Sequence, residues 1–487
     1  MSPGAAQVLA RPGWAGSGVA VEPWWTRAVF YRVDPARFQD SGASGVGDLA
    51  GVAMRLDYLQ SLGVDAIILE GGGEAMYAGT SELEELIRAA SQHHLRVIVS
   101  VSPAMQQEQT EKLTAAVHDW LSQGAAGIWV AKPQPETAAT DAAYANLLGE
   151  LTPVLRSLPG QRILLAEPTP VPAEEPSPYS RSGRPQARAQ VPELVVAASI
   201  PAQSTDPAAL RQALQPIPES PAGHGGPLLR FARDPETGSS YAGADAALLL
   251  ASRGAAMFDF GDEIGLDAYP IREQAADAAF PVMQWTPINV QQAPIERPKP
   301  VVTPPGGITP FGAYHAYVRP THAPIVRKPD PNAPEPLPDP NTLPGFTKGR
   351  LPVEPIEGSK INVATEERDR NSLLNAYRQL IALHHGNATL RNGAQVVLNR
   401  DAQDALVWLR RAPAGSRTVA DVVVAANLGN RPVTLSLDED LKRLGIREGL
   451  LRPLFAWSPD PLTGESTGAL MLPGHAVFIG EIFHPRF

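Results

Sequence analysis

The sequence predicts an α/β protein: a closed (β/α)8 barrel over residues 24–389, followed by an antiparallel β-sandwich over 390–487. Three observations predict it. From residue 24 to 260, short continuous apolar runs alternate with helical patterns, and continuous runs mean strands buried on both faces, as in a parallel sheet covered by helices. Eight such runs suit closure into a barrel, and no Gly-rich phosphate loop follows the first of them, although an open doubly wound sheet stays possible. Beyond Thr389 the runs shorten, alternate and are split by turn residues, which is the pattern of a small sandwich.

The elements follow in order. Ala28 to Val33 is a β-rich apolar run, and Leu49 to Leu62 carries Leu56, Leu59 and Leu62 at helical spacing. Asp65 to Leu69 is the second strand. Ser81 and Glu84 are spaced as a capping box ahead of Leu86, Ile87 and Ala90, so a helix starts there. Val97 to Val101 is the third strand, Leu113 to Leu121 a helix, Gly127 to Val130 the fourth strand and Ile163 to Ala166 the fifth. Leu194 to Ala198, Leu228 to Ala232 and Ala255 to Phe260 complete the eight. The stretch from Pro168 to Pro192 is too rich in proline for a clean helix. A helix resumes with Leu373, Leu374, Tyr377, Leu380 and Ile381 on one face. The sandwich strands are Ala405 to Leu409, Val422 to Ala426, Val433 to Leu437, Leu450 to Phe455 and Ala476 to Ile482.

Composition narrows the function classes. The chain has 487 residues, 43% hydrophobic, with a net charge of −10, so it can bury a core and offers no basic stripe for nucleic acid or anionic membranes. Cysteine is absent, which removes disulfides, thiol nucleophiles and Cys-ligated metals. No run approaches about 18 apolar residues, so no spanning helix is expected. Residues 1–23 lack a basic cluster followed by an apolar region and read as a flexible extension of a cytoplasmic protein. Seventeen prolines fall between Pro294 and Pro355, so 290–358 reads as an elaborated surface loop and a candidate docking surface for a protein partner.

Longer motifs carry a resemblance. WWTRAVFYRVDPARFQDSGASGVGDLAGVAMRLDYLQSLGVDAIILE, then GDEIGL at 261–266, PVMQWTP at 281–287 and INVATEERDRNSLLNAYRQLIALHH at 361–385 resemble, in order, the α-amylase superfamily, glycoside hydrolase family 13. The last two resemble its α-glucosidase and trehalose-synthase-like branch. The resemblance implies a (β/α)8 barrel with a C-terminal β-sandwich, in agreement with the pattern reading, and a chemistry of carboxylates at strand ends. In retaining members a nucleophile and a general acid sit about 5–5.5 Å apart, because the nucleophile must reach the anomeric carbon.

Carried over residue by residue, the resemblance implies a site in decay. At the fourth strand, where the family reads G-x-x-G-F-R-L-D, Gly124 and Gly127 set the register, so the nucleophile position is Ala131 and its companion arginine is Trp129. A methyl group cannot attack. At the fifth strand the general-acid position is Glu167. At the seventh, Ala232-Arg233-Asp234 keeps the aspartate of an Asn-His-Asp signature and loses its sugar-binding histidine. At the third, Ser100 to Met105 lacks the family's acid, amide and imidazole. The domain usually inserted after the third strand is absent, with room for one helix between Met105 and Gly127. The loop Asp40 to Asp48, calcium-binding in some members, lacks two oxygen ligands, so no metal and no cofactor are expected. Loss of the nucleophile and of the inserted domain together resembles the ectodomain of heteromeric amino-acid transporter heavy chains, without their membrane helix.

The expectation is therefore a non-catalytic amylase-like protein of carbohydrate metabolism, binding an α-glucoside, an oligosaccharide or a protein. The alternative is an active retaining α-glycosidase or glucosyl transferase using Glu167 and Asp234; an inverting pair and a purely structural scaffold also stay open. Tyr31 and Arg233 are the candidate substrate-binding residues, and Arg233 and Lys132 suggest a former sugar site neutralised by ion pairs. Trp24, Trp25, Tyr31 and Trp285 suit either sugar stacking or core packing. His93-His94 and His384-His385 lack ligand spacing and read as solvated helix faces. Asp262 and Glu263 read as structural, closing the end of the eighth strand.

Overall fold

The computed structural model describes residues 23–70, 81–103, 107–132, 137–167, 194–201, 207–214, 228–232, 242–266, 282–287, 345–348 and 361–484, with short breaks at 401, 414, 416–418 and 459–462. The expected extension at 1–23, the proline-rich stretch 168–192 and the loop at 290–358 lie outside these residues, apart from Pro23 and Gly345–Lys348.

Eight parallel strands close a barrel in chain order: β1 (Val29–Val33), β2 (Ala66–Leu69), β3 (Arg96–Val101), β4 (Gly127–Val130), β5 (Ile163–Ala166), β6 (Leu194–Pro201), β7 (Leu228–Ala232) and β8 (Ala255–Asp259). The helices are α1 (Pro35–Phe38), α2 (Leu49–Met54), α3 (Leu56–Leu62), α4 (Ser81–Gln92), α5 (Gln107–Gln123), α6 (Ala138–Ser157), α7 (Pro207–Ala213) and α8 (Ala242–Leu250). Between β3 and β4 the described chain holds only α5, so no domain is inserted there.

The strands read as continuous apolar runs because both faces are buried. Phe30, Ile68, Ile98, Trp129, Leu165 and Met257 fill the lumen. Their neighbours Tyr31, Ile67, Val99, Val130, Leu164 and Phe258 pack outward against the helices. Successive residues of a strand point to opposite faces, so in β1, β2, β4, β5 and β8 this division fixes which side of the barrel the strand-end residues present.

Local chemistry sets the helix ends. Asp48 accepts the Gly51 N–H at 2.6 Å at the start of α2, and Gly63, at φ +93°, ends α3 in the left-handed region. The single helix expected over 49–62 is split at Arg55, whose φ of −110° and ψ of 12° are not helical. The break turns the Arg55 guanidinium onto Gln39 Oε1 at 2.7 Å and the Gly345 carbonyl at 2.8 Å. No expectation covered α6, which the Thr137–Thr140 capping box starts and which tolerates Pro153 near its end.

After the barrel come α9 (Val363–Glu366), α10 (Leu373–Gly386) and α11 (Ala388–Asn392), then one antiparallel sheet in the order β12-β15-β14-β13-β16-β11-β10-β9. Its strands are β9 (Ala394–Leu398), β10 (Ala405–Arg411), β11 (Val422–Asn427), β12 (Val433–Leu435), β13 (Leu450–Trp457), β14 (Thr463–Ser466), β15 (Ala469–Leu472) and β16 (Val477–Phe483), with α12 (Asp438–Arg443) between β12 and β13. Val407, Leu409 and Val423 share one cluster with Leu435, Leu470 and Leu472, so the two ends of the sheet fold over a common sandwich core. The opposite face, with Leu406, Trp408, Val424 and Ile479, joins the barrel's helical layer.

Arg410 ties the two parts together. Fully buried, its Nη1 donates to the Ala251 carbonyl at 2.9 Å, and Nη2 to the Leu390 and Gly393 carbonyls at 2.5 and 3.1 Å. These carbonyls lie at the C-terminal ends of α8 and α11, where partial negative charge accumulates. His384 is buried on the same seam, with Nδ1 2.8 Å from the Leu250 carbonyl and Nε2 3.0 Å from the Arg27 carbonyl. That corrects the expected solvated face: His384 faces the barrel.

Candidate functional site at the barrel mouth

All eight strands are parallel, so their C-terminal ends share one mouth. The alternation in the lumen continues into it. Two residues beyond Phe30, Ile68, Trp129, Leu165 and Met257 stand Arg32, Glu70, Ala131, Glu167 and Asp259. At β1, β2, β5 and β8 a charged residue thus caps the apolar lumen.

Arg32 and Asp259 are register partners across the seam where β1 meets β8. Arg32 Nη2 donates to Asp259 Oδ2 at 2.8 Å and Nε to Oδ1, a bidentate pair, while Nη1 lies 3.2 Å from Glu70 Oε1. The three side chains are 21%, 15% and 26% exposed, so the network is partly desolvated. No sequence expectation named these residues. The signal was there: each is a charged residue closing an apolar run, in phase with the lumen.

Glu167 is half-buried. Its N–H donates to Tyr144 Oη at 2.7 Å, and that hydroxyl donates back to the Glu167 carbonyl at 3.1 Å, so α6 clamps this strand end. Ala131 continues β4, donating its N–H to the Val101 carbonyl at 2.9 Å, and its methyl packs on the lumen cluster that holds Trp129. Ser100 is half-buried and Ser102 exposed at the end of β3. Arg233 and Asp234 lie outside the described residues.

The aromatic candidates belong to the core. Tyr31 points outward from β1, is fully buried, and donates its hydroxyl to Glu263 Oε1 at 2.7 Å. It has no face toward the mouth, which corrects its expected substrate-binding role. Trp24 and Trp25 precede β1 at the closed end, where Trp24 Nε1 donates to the Gln161 carbonyl at 3.2 Å and the Arg96 guanidinium stacks 4.4 Å above its ring. Trp285 is buried between Phe38 and Tyr58, its Nε1 donating to the Phe38 carbonyl at 2.9 Å.

The GDEIGL motif holds the β8 end. Asp262 Oδ2 accepts the Asp259 N–H at 2.7 Å, which orients the residue that grips Arg32. Glu263 is fully buried and accepts the hydroxyls of Tyr31 and Tyr58 and the Gly261 N–H at 2.7, 2.6 and 2.9 Å. Burial raises its carboxyl pKa, opposed by those donors; burial and then the Glu263 charge raise both tyrosines well above the ordinary phenol value. In the Asp40–Asp48 loop, Asp40 accepts the Gly42 and Gly45 N–H groups and the Thr347 hydroxyl at 2.8, 2.8 and 2.6 Å. Among the described residues no group of three His, Asp or Glu side chains could hold a metal ion. Nor is any described helix long and apolar enough to cross a membrane.

Comparison with known proteins agrees with this architecture. Residues 32–70 match the family model described as alpha amylase, catalytic domain. A glucan 1,6-α-glucosidase of Streptococcus pneumoniae is 34% identical over 97 residues, 16% of this chain and 18% of that protein. An oligo-1,6-glucosidase of Saccharomyces cerevisiae is 54% identical over 44 residues, 9% of this chain and 8% of that one. The chain thus matches less than a fifth of the length of either relative. Among solved structures, the trehalulose synthase of Pseudomonas mesoacidophila MX-45 superposes with a TM-score of 0.63 at 16% identity, covering 95% of this chain and all of that one. The isomaltulose synthase of Klebsiella sp. LX3 gives 0.65 at 15%, with the same coverage, and at such identity the likeness is one of fold. Motif, local identity and fold together support the resemblance read from the sequence, to the α-amylase superfamily of glycoside hydrolase family 13.

Proposed function

We propose that this is an amylase-like protein of carbohydrate metabolism that binds an α-glucoside or oligosaccharide at the barrel mouth without cleaving it. One observation carries the reading: the β4 end presents only the Ala131 methyl to the lumen, beside Glu167 on the next strand. Glycosyl transfer through an ester needs an oxygen nucleophile under the anomeric carbon. Among the described residues the other mouth carboxylates, Glu70 and Asp259, come from β2 and β8 and are engaged by Arg32. Supporting the sugar ligand are the relatives, which are glucosidases, and a similar solved structure, a MutB variant in complex with glucose. The cytoplasm is the proposed compartment, in keeping with a chain that has no cysteine for a disulfide framework. A protein partner docking on residues 294–355 is a further proposal, motivated by their proline content.

The test is direct. Purified protein with p-nitrophenyl α-glucoside, maltose and trehalose is expected to give no turnover above a buffer blank, while calorimetry detects binding of one of the sugars. A second reading, a working α-glycosidase or glucosyl transferase using Glu167 and Asp234, is favoured by the rigid clamp of Tyr144 on Glu167. It requires turnover that Glu167→Gln abolishes.

A further inference from the structure

Asp259, Arg32 and Glu70 stand at the ends of three neighbouring strands, β8, β1 and β2 in that order around the barrel. The row alternates acceptor, donor, acceptor. The Arg32 fork grips Asp259 on one side, and its Nη1 lies 3.2 Å from Glu70 Oε1 on the other. Each backbone is held as well. Phe260 donates its N–H to the Arg32 carbonyl at 2.9 Å, Glu70 to the Val33 carbonyl at 2.8 Å, and Asp259 to Asp262 Oδ2 at 2.7 Å. The three charges are therefore set in place before any ligand arrives, which lowers the ordering cost of binding.

Closing the barrel does not account for them. The strand ladder already pairs Val29–Arg32 with Ala256–Asp259 in register, and the Phe260 N–H extends it by one bond. Partly exposed ion pairs add little net stability, because the charges give up hydration for what they gain from each other. Charged residues in phase with an apolar lumen break the local pattern, and they do so at the C-terminal ends of barrel strands, the face on which such barrels meet their ligands. Position adds to this. In a ring of eight, β5 is four strands from β1 in either direction, so the row faces Glu167 across the mouth.

We infer, resting on the reading that the mouth binds a sugar, that the Asp259–Arg32–Glu70 row is the subsite that recognises it, through neighbouring hydroxyls of an uncharged pyranose. A hydroxyl both donates and accepts. It can donate to a carboxylate while accepting from the guanidinium, and the next hydroxyl of the ring repeats the pattern along the row. An anionic sugar meets two carboxylates for one guanidinium and is disfavoured. None of Ala131, Glu167 and Asp234 belongs to the row, so recognition here is separate from the groups that bond cleavage would need.

Calorimetry on the full chain tests it, with methyl α-glucoside, its four monodeoxy analogues and methyl α-glucuronide. The wild type is expected to bind the glucoside, and to bind one or two of the deoxy analogues and the glucuronide about tenfold more weakly. Glu70→Gln and Asp259→Asn, each checked for an unchanged far-UV circular dichroism spectrum, are expected to weaken the glucoside about tenfold and to abolish the penalty of one deoxy analogue. Glu70→Gln stands outside the bidentate pair and keeps the test decisive if Asp259→Asn fails to fold. A merely structural role would weaken every sugar in proportion and leave the deoxy ranking unchanged. That proportional loss, or affinities in both variants within about threefold of the wild type, or a glucuronide bound as tightly as the glucoside, overturns the inference and leaves the sugar reading standing. Failure of the wild type to bind methyl α-glucoside also overturns it; the same failure with maltose and trehalose overturns the sugar reading as well.

Discussion

The Arg32 guanidinium grips the Asp259 carboxylate in a bidentate pair across the β1–β8 seam, at the place where the barrel closes on itself. The pair lies 15–21% exposed, between the surface and buried regimes, and a third charge, Glu70, leans on it. Removing one partner leaves the other half-desolvated. Asp259→Asn is expected to cost about 1–2 kcal/mol, more than an exposed pair and less than a buried one. A double-mutant cycle with Arg32→Met in urea checks it, with a coupling of about 1 kcal/mol expected.

Glu263 carries the second prediction. Its carboxyl pKa is raised by burial, opposed by the hydroxyls of Tyr58 and Tyr31. A raised folded pKa means the native state binds more protons than the unfolded chain across that interval. The contribution is full below the ordinary glutamate value and is lost as pH rises through the raised one. Glu263→Gln should flatten this slope. It should also cost about 1–3 kcal/mol, because an amide has one acceptor oxygen where the carboxylate has two, so either the Gly261 N–H or the two tyrosine hydroxyls lose their acceptor. Urea midpoints at several pH values between 4 and 8 are the measurement.

His384 gives the opposite sign. Burial pushes its pKa down to about 4, with the Leu250 and Arg27 carbonyls opposing and His385 and Arg410 adding to the fall. The unfolded chain then binds the extra proton between about pH 6.5 and 4, so stability is present above that window and lost as pH falls through it. The loss amounts to about 3 kcal/mol. In His384→Gln this acid-side slope should vanish; a variant with the wild-type slope would show that another group causes it.

Arg410 presents three N–H donors to three carbonyls at two helix ends, and burial lowers its pKa to about 9, still charged at neutral pH. Arg410→Met strands those acceptors in the seam between barrel and sheet. A loss of about 3–5 kcal/mol is expected. Arg410→Lys should recover only part of it, since one ammonium cannot span the fork. Thermal melts followed in both the far and near ultraviolet check whether barrel and sandwich still unfold together.

The barrel was legible because strands such as Ile163–Ala166 are buried on both sides and so appear as unbroken apolar runs. Helix α6 was not, since Ala-rich turns and an internal Pro153 blur its periodicity. The break at Arg55 was invisible because the groups its guanidinium reaches, Gln39 and the Gly345 carbonyl, lie 16 and 290 residues away in sequence. At the mouth, Ala131 and Glu167 were found by matching motifs, whereas Arg32, Glu70 and Asp259 needed only the two-residue phase of the lumen. Tyr31 was misjudged for the same reason. It is one residue out of phase with Phe30 and so faces the helices.

The last prediction concerns what restoring a carboxylate would do. Ala131→Asp would place one at the β4 end, one strand from Glu167. Beneath it the lumen holds Trp129, 1% exposed, where the family resemblance places an arginine that steadies the nucleophile. An indole supplies no charge to keep the new carboxylate ionised, and its bulk occupies the space an arginine fork would need. Ala131→Asp alone is therefore expected to leave p-nitrophenyl α-glucoside unhydrolysed, and to cost about 1–3 kcal/mol from placing a carboxylate against the apolar cluster. Hydrolysis by the single variant, abolished again by Glu167→Gln, would mean that only the nucleophile had been lost and that the rest of the mouth still recognises a glucoside in a reactive pose.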